Sequence, residues 1–211
     1  MSDRNKKILI IVSSVVAALL VLTLSLWIYY RNAEFGFARE VSQEEANRRL
    51  QLIQTAEKWL GSNEADNTHA AIIDLYNTQE VLPMSYEVQY TDSWCATFVT
   101  AAAMEAGLTD IIPPECGCQR QIELFRQLDG WQEKDTYVPL PGDIIYYAWE
   151  DNPVGDCTGW ADHVGIVVGT CWPYIKVIEG NNNSKVAYRY IRVDASGIRG
   201  YAIPKYLKAA A

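Results

Sequence analysis

Positive charge is in short supply along this chain of 211 residues, where 18 lysines and arginines face 26 aspartates and glutamates for a formal net charge of −8. A surface of that sign repels phosphate backbones, so nucleic acid is excluded as a partner. Histidine is scarcer still, with His69 and His163 the two in the chain. Paired CxxC motifs and a His pair at metal-ligand spacing are both missing, which argues against a zinc site. Internal repeats and low-complexity tracts are absent too. With 49% hydrophobic residues, the chain has enough apolar material for one ordinary core, so it is neither disordered nor an array.

Charge is also missing, locally and completely, from Ile8 to Tyr30, a run of 23 residues. About 20 apolar residues suffice to cross a bilayer as a helix. Arg4, Lys6 and Lys7 precede the run, and Trp27, Tyr29 and Tyr30 close it. The positive-inside rule and the aromatic belt then put residues 1–7 in the cytoplasm, a single transmembrane helix at 8–30 and everything after it outside the cell. No small-x-small cleavage pattern follows directly, which separates this run from a secretory signal. Residues 31–41 read as a juxtamembrane linker and 42–208 as the extracytoplasmic domain. Beyond residue 30 the chain holds 15 basic against 25 acidic residues, about −10.

Five cysteines lie outside the apolar run. Setting Cys95 aside as a free thiol leaves Cys116, Cys118, Cys157 and Cys171, and four cysteines allow three pairings that spacing does not separate. An extracytoplasmic location permits a disulfide among them.

The spacing predicts helices first. Ser42 and Glu45 form a capping-box pair, Leu50, Ile53, Trp59 and Leu60 recur at helical spacing, and Gly61 sits where a C-cap glycine belongs. A short helix is predicted from Thr68 to Tyr76 with Ala71, Ile72 and Leu75 on one face. Another runs from Trp94 to Ala106, with Asp92 or Ser93 as cap and Gly107 as stop. A fourth covers Gln119 to Leu128. After the turn at Pro141 and Gly142 the period changes, and Asp143–Trp149, Val164–Gly169, Tyr174–Glu179, Val186–Val193 and Tyr201–Ile203 read as strands. Helices followed by antiparallel strands make an α+β fold.

Cys95 carries the chemistry. It opens an apolar helix, where the helix dipole offers about half a positive charge to a thiolate. His163 follows in a strand-like run, and then Glu179 and Asn181, in the order of nucleophile, base and orienting group. Glu179 and Asn181, two apart at a strand end, are expected on one face. The other histidine, His69, sits in a polar stretch and is expected to be solvated. Acyl transfer also needs donors for the developing oxyanion. The backbone N–H of Cys95 can be one, and Gln89 or Tyr90 the second. Trp94, Trp149 and Trp160 are candidates to line a substrate groove, with Asp162 at its mouth.

The strings WCATFV, PGDIIYY, DHVGIV and EGN together resemble the CHAP family, the cysteine, histidine-dependent amidohydrolase/peptidases that cut bacterial peptidoglycan. The resemblance covers about residues 50 to 206 and is nearest to cell-wall lysins of phages and mobile elements of Gram-positive bacteria, including Ile198, Arg199, Gly200 and Tyr201 with Pro204 and Tyr206. It implies a papain-like α+β domain with a nucleophile helix packed on an antiparallel sheet, Cys95 as nucleophile, His163 as base, Glu179 as the acidic orienting residue and Asn181 as a fourth polar group. The implied partner is peptidoglycan, and no cofactor is required. The implied reaction is that of an N-acetylmuramoyl-L-alanine amidase or a peptide-stem endopeptidase, and the residues do not separate the two. An acidic body has no general attraction to anionic wall polymers, so the membrane anchor would confine the enzyme near the wall. Two other readings stand beside this one, a catalytically inactive wall-binding or assembly protein on the same fold and a processing cysteine peptidase for exported proteins. Some family members bind calcium, but Asp151, Asn152, Asp156 and Asp162 match no EF-hand spacing, and no metal is expected.

Overall fold

A computed structural model describes residues 5, 12–23, 25, 34–134, 136–149 and 159–207. The chain divides into two compact units, Met1–Glu34 and Phe35–Ala211. In the first, residues 12–23 are helical with exposed side chains. Among the described residues no helix is long and apolar enough to cross a membrane, and much of the predicted span at 8–30 lies outside them. Asp151, Asn152, Asp156 and Cys157 also lie outside the described residues.

The second unit begins by stitching itself to its own sheet. Gly36 exchanges backbone hydrogen bonds with Thr170 at 3.3 and 3.0 Å, and the Phe35 ring meets Tyr190 edge-on at 5.5 Å. Arg39 donates to the Val138 carbonyl at 3.0 Å. Residues 35–39 are therefore part of the domain rather than the free linker that their polarity suggests.

Helix α1 (Gln43–Glu57) starts as predicted, with Ser42 Oγ accepting from the Glu45 N–H at 3.2 Å. The return half of the capping box is missing, because Glu45 turns its carboxylate to Arg49 at 2.7 Å. That pairing exposes why the predicted face is wrong. Arg49, Leu52, Ile53, Thr55 and Ala56 are buried, whereas Leu50 and Leu60 are exposed. Arg49 goes inside because Asp143 waits there at 2.8 Å with no exposed surface of its own. Asp143 further accepts from the Tyr137 hydroxyl at 2.6 Å and the Leu140 N–H at 2.9 Å, while Arg49 donates to the Pro141 carbonyl and lies over the Tyr206 ring. The aspartate of the PGD string is thus a structural clamp between α1 and the sheet.

Helix α2 (Ala70–Asn77) buries Ile72, Ile73 and Tyr76 and leaves Ala71 exposed, one position round from the predicted face. Helix α3 (Cys95–Glu105) is buried on every side from Cys95 to Ala103. Its alanines let α1 and α2 approach on one side and the sheet on the other. Burial of Phe98 and Val99 stabilises this arrangement by about 1.5–3 kcal/mol each. Its cap is Trp94, whose side chain makes no capping bond. Asp92 is engaged instead with the Gln89 N–H and the Tyr86 hydroxyl. Helix α4 (Cys118–Gln127) completes the helical layer.

Among the described residues six antiparallel strands follow: β1 (Trp131–Gln132), β2 (Ile144–Tyr147), β3 (His163–Cys171), β4 (Tyr174–Glu179), β5 (Ala187–Arg192) and β6 (Ile198–Ala202), in the order β1-β6-β2-β3-β4-β5. The sequence missed β1, which is two residues long. Ile144, Tyr146, Val164, Ile166 and Ile178 face the helices. Ile145, Tyr147, Val167, Ile175 and Val177 form a second apolar cluster, separate from the helical core. The fold is α+β, with helices on an antiparallel sheet.

Candidate active site

Register builds the site. Tyr147 on β2 is opposite His163, the first residue of β3, and their rings stack with centroids 5.7 Å apart. On the next strand, the pairing of Ile166 with Ile178 sets Gly165 opposite Glu179. A Cβ on Gly165 would lie 2.7 Å from the Glu179 Cγ and 2.6 Å from Val177, so the glycine of the DHVGIV string leaves the path along which Glu179 reaches its neighbour. Glu179 Oε2 then meets His163 Nε2 at 3.0 Å. The second carboxylate partner, Arg189, comes from β5, where it pairs with Val177 and so lies diagonal to Glu179. Its Nε donates to both carboxylate oxygens, at 2.7 and 2.9 Å.

Cys95 is the first residue of α3, buried to 5% exposure. With Nε2 of His163 held by Glu179, Nδ1 is the ring nitrogen left for the sulfur, and the two side chains favour each other's charged forms. A second thiol completes the group. Cys118, the first residue of α4, puts its Sγ 3.6 Å from that of Cys95. Its helix is tied to the approach to β3 and to β2, since the adjacent Gln119 accepts from the Ala161 N–H at 3.2 Å and Gln121 takes the buried Tyr146 hydroxyl at 2.8 Å.

These contacts set the charges. Hydrogen bonding from Cys118 is the largest influence on the Cys95 thiol and lowers it; burial opposes, and His163 and the Ala96 N–H assist, leaving it pulled down to about 5. Cys118 is driven well above the ordinary thiol range by that same neighbour and by burial, so it stays protonated and donates. Burial alone would push His163 down, but Cys95 and Glu179 outweigh it and raise it to about 9. Glu179 is fully buried, and its desolvation is overcome by His163 and Arg189, which hold the carboxyl below its usual value. Between about 5 and 9 the site therefore holds a thiolate beside an imidazolium, the ionisation state in which a cysteine attacks a carbonyl carbon.

Other expected members are placed elsewhere. Gln89 donates its side-chain amide to the Glu87 carbonyl at 2.8 Å, and the exposed Tyr90 gives its hydroxyl to Asp74 at 2.6 Å, so both are engaged away from Cys95. Trp94 has no exposed surface and bonds Glu64 at 3.0 Å through Nε1, which makes it core rather than groove lining. Trp160 is 68% exposed, and Trp149 stacks on Tyr147 with centroids 4.6 Å apart. Asp162 is half-buried beside His163, its N–H on the Tyr147 carbonyl. Asn181 does not continue the alternation from Glu179. The strand stops at Glu179, and Asn181 turns with a φ of 54°. Gly180 between them sits where a Cβ would strike Phe98 at 2.4 Å, which brings the strand end onto α3. His69 is not solvated but buried, with ring nitrogens 3.0 Å from the Tyr90 carbonyl and 3.3 Å from that of Asn63.

The four described cysteines, Cys95, Cys116, Cys118 and Cys171, are free thiols, so the disulfide that the count permits is not formed among them. No cluster of metal-ligating side chains occurs among the described residues. Cys118 and Arg189 were missed in the sequence. The CGC string hints at the first, and nothing but strand register points to the second.

Residues 85–181 match the family model of the CHAP domain. Cys95, Cys118, His163, Glu179 and Asn181 fall within the matched stretch, so this part of the chain is similar to CHAP domains. Arg189 falls beyond it. Among solved structures, an NlpC/P60 family protein from Bacillus cereus ATCC 10987 is similar, with a TM-score of 0.43 and 15% identity over 76% of this chain. The chain spans 40% of that protein's length. No curated protein matches the chain.

Proposed function

We propose that this protein is a peptidoglycan hydrolase that cleaves an amide bond through Cys95 and is tethered to the membrane by the apolar run at 8–30. The observation that carries the reading is a buried sulfur at a helix start, electrostatically coupled to an imidazole whose Nε2 rests on a buried carboxylate at 3.0 Å. In the proposed reaction the Cys95 thiolate attacks the amide carbonyl. The backbone N–H at the start of α3 steadies the oxyanion, and His163 gives its Nδ1 proton to the leaving amine. Water, deprotonated by the now neutral His163, then hydrolyses the thioester. Glu179 holds the ring in the productive orientation and stabilises its charge, and Arg189 holds Glu179. Asn181 is proposed as a further polar group at the strand end.

Both the muramoyl–alanine amide and a stem peptide bond suit this chemistry. The tether rests on the 23 uncharged residues and their basic and aromatic flanks. Full-length protein in detergent is expected to release muropeptides from purified walls, with mass spectrometry identifying the new termini. Cys95→Ser is expected to abolish release. Wall digestion unchanged in that variant, or reducing sugar ends as the sole product, refutes the reading.

A further inference from the structure

Two helices begin on a cysteine, and the two beginnings meet. Cys95 opens α3 and Cys118 opens α4, with the sulfurs 3.6 Å apart and both residues buried. Hydrolysis of an amide consumes one thiol, so the second has no step of its own in the reaction. The remaining described cysteines are differently placed. Cys116 turns its sulfur to Glu115, and Cys171 ends β3, eight residues and about 26 Å along the strand from His163.

We propose that Cys118 is the resolving thiol of a reversible oxidation switch, in which a hydroperoxide joins it to Cys95 as a disulfide and shuts the enzyme off. The proposal rests on the reading of Cys95 as nucleophile. The Cys95 thiolate attacks the hydroperoxide, its O–O bond breaks, and Cys95 becomes a sulfenic acid while the departing alkoxide or hydroxide takes the proton of His163. Neutral His163 then deprotonates Cys118, whose thiolate attacks the sulfenic sulfur. The S–S bond forms, the S–O bond breaks, and the hydroxide leaves as water with the proton returned by His163. Two thiols are oxidised by two electrons, and the peroxide is reduced to water and an alcohol or a second water.

Closing from 3.6 Å to a bond of about 2.05 Å asks for about 1.5 Å of sulfur movement, within reach of side-chain rotation at two helix starts. A nearby thiol also diverts the sulfenic acid before it goes on to irreversible sulfinic and sulfonic forms. An extracytoplasmic enzyme that softens the wall would gain a means of standing idle under oxidative stress and of recovering afterwards.

The test oxidises reduced full-length protein with stoichiometric hydrogen peroxide, maps its cysteines by peptide mass spectrometry and follows wall digestion before and after dithiothreitol. Wild type is expected to yield a Cys95–Cys118 linked peptide, to lose at least about tenfold in activity and to regain it on reduction. Cys118→Ala, treated alike, is expected to carry sulfinic or sulfonic acid at Cys95 and to regain no more than about a tenth of its own starting activity. Cys118→Ser keeps the volume and polarity of the site and is expected to behave as Cys118→Ala does. Linkage of Cys95 to Cys116, Cys157 or Cys171, or full recovery of the Cys118 variants, overturns the proposal. Wild type that digests walls but forms no bridge removes the switch alone. Wild type that forms the bridge but digests no wall when reduced removes the hydrolase reading and the switch with it.

Discussion

Glu179→Gln is the substitution with the sharpest consequence, because it changes a charge without changing a shape. His163 stands at about 9, where an ordinary histidine stands at 6.5, although its burial works in the opposite direction. The partners responsible are Cys95 and Glu179, the latter at 3.0 Å and fully buried. A hydrogen bond to a charged group in such a place is worth about 1.5–3 kcal/mol, and about 1.4 kcal/mol corresponds to one pH unit. Neutralising the carboxylate also leaves the Arg189 guanidinium uncompensated, which further disfavours a second cation at His163. The imidazolium is therefore expected to be lost one to two pH units earlier, at about 7 to 8. The sign follows from the form required. A pair of thiolate and imidazolium is assembled as pH rises through the Cys95 value of about 5 and is lost as pH rises through the His163 value. Wild type should give a bell-shaped kcat/KM for wall digestion with limbs near 5 and 9, and Glu179→Gln a narrower bell with its alkaline limb displaced and its acid limb much less so. The rate of Cys95 alkylation by iodoacetamide against pH reports the same ionisation without a substrate. An alkaline limb that stays near 9 in the variant, with activity merely scaled down, would refute the assignment of Glu179 as the group that sustains the imidazolium.

Arg189→Met is expected to move the alkaline limb the other way, because it removes a competing cation and leaves Glu179 to His163 alone; a limb displaced downward in the pH profile counts against the proposed sharing. Gly165→Ala places a methyl group against Val177 and the Glu179 Cγ, for which overpacking of about 1–3 kcal/mol is expected together with a fall in kcat, and calorimetry beside wall-digestion assays checks both. Asp143→Ala leaves the buried Arg49 guanidinium to Glu45 and the Pro141 carbonyl and takes the acceptor from the Tyr137 hydroxyl, so a loss of about 3 kcal/mol is expected. Thermal unfolding should fall by about 10 °C for a domain of this size, and a shift of less than about 2 °C would contradict the clamp.

The parts of this molecule that the sequence discloses are those that depend on one residue and its immediate neighbours. Strand β4 was read to the residue because its apolar alternation and flanking turns are local, and Ser42 was read as a cap because capping takes place within one turn. Cys95 and His163 stood out because a thiol at a helix start and one of two histidines at the head of a strand are locally rare. The larger departures involve a partner far along the chain. Helix α1 was rotated in the reading because hydropathy sends an arginine outward, while Asp143, 94 residues away, draws Arg49 in. The polar sequence neighbours of His69 point to a solvated ring, but the Tyr90 carbonyl 21 residues on closes over it. Asn181 was placed beside Glu179 on the assumption that the strand continued, whereas asparagine tolerates the left-handed turn that ends it.

The site itself follows the same rule at one higher order. Cys95 is shared by His163 and Cys118, and Glu179 by His163 and Arg189, so every ionisation here is decided by three bodies drawn from two helices and three strands. A motif can specify that a thiol, an imidazole and a carboxylate are present. The competition that sets their charges comes from register and helix packing, and a second thiol or a guanidinium enters that competition with no signature of its own. This is why two residues invisible in the motif join the motif residues in setting the site's behaviour, Arg189 in the pH profile and Cys118 in the oxidation response.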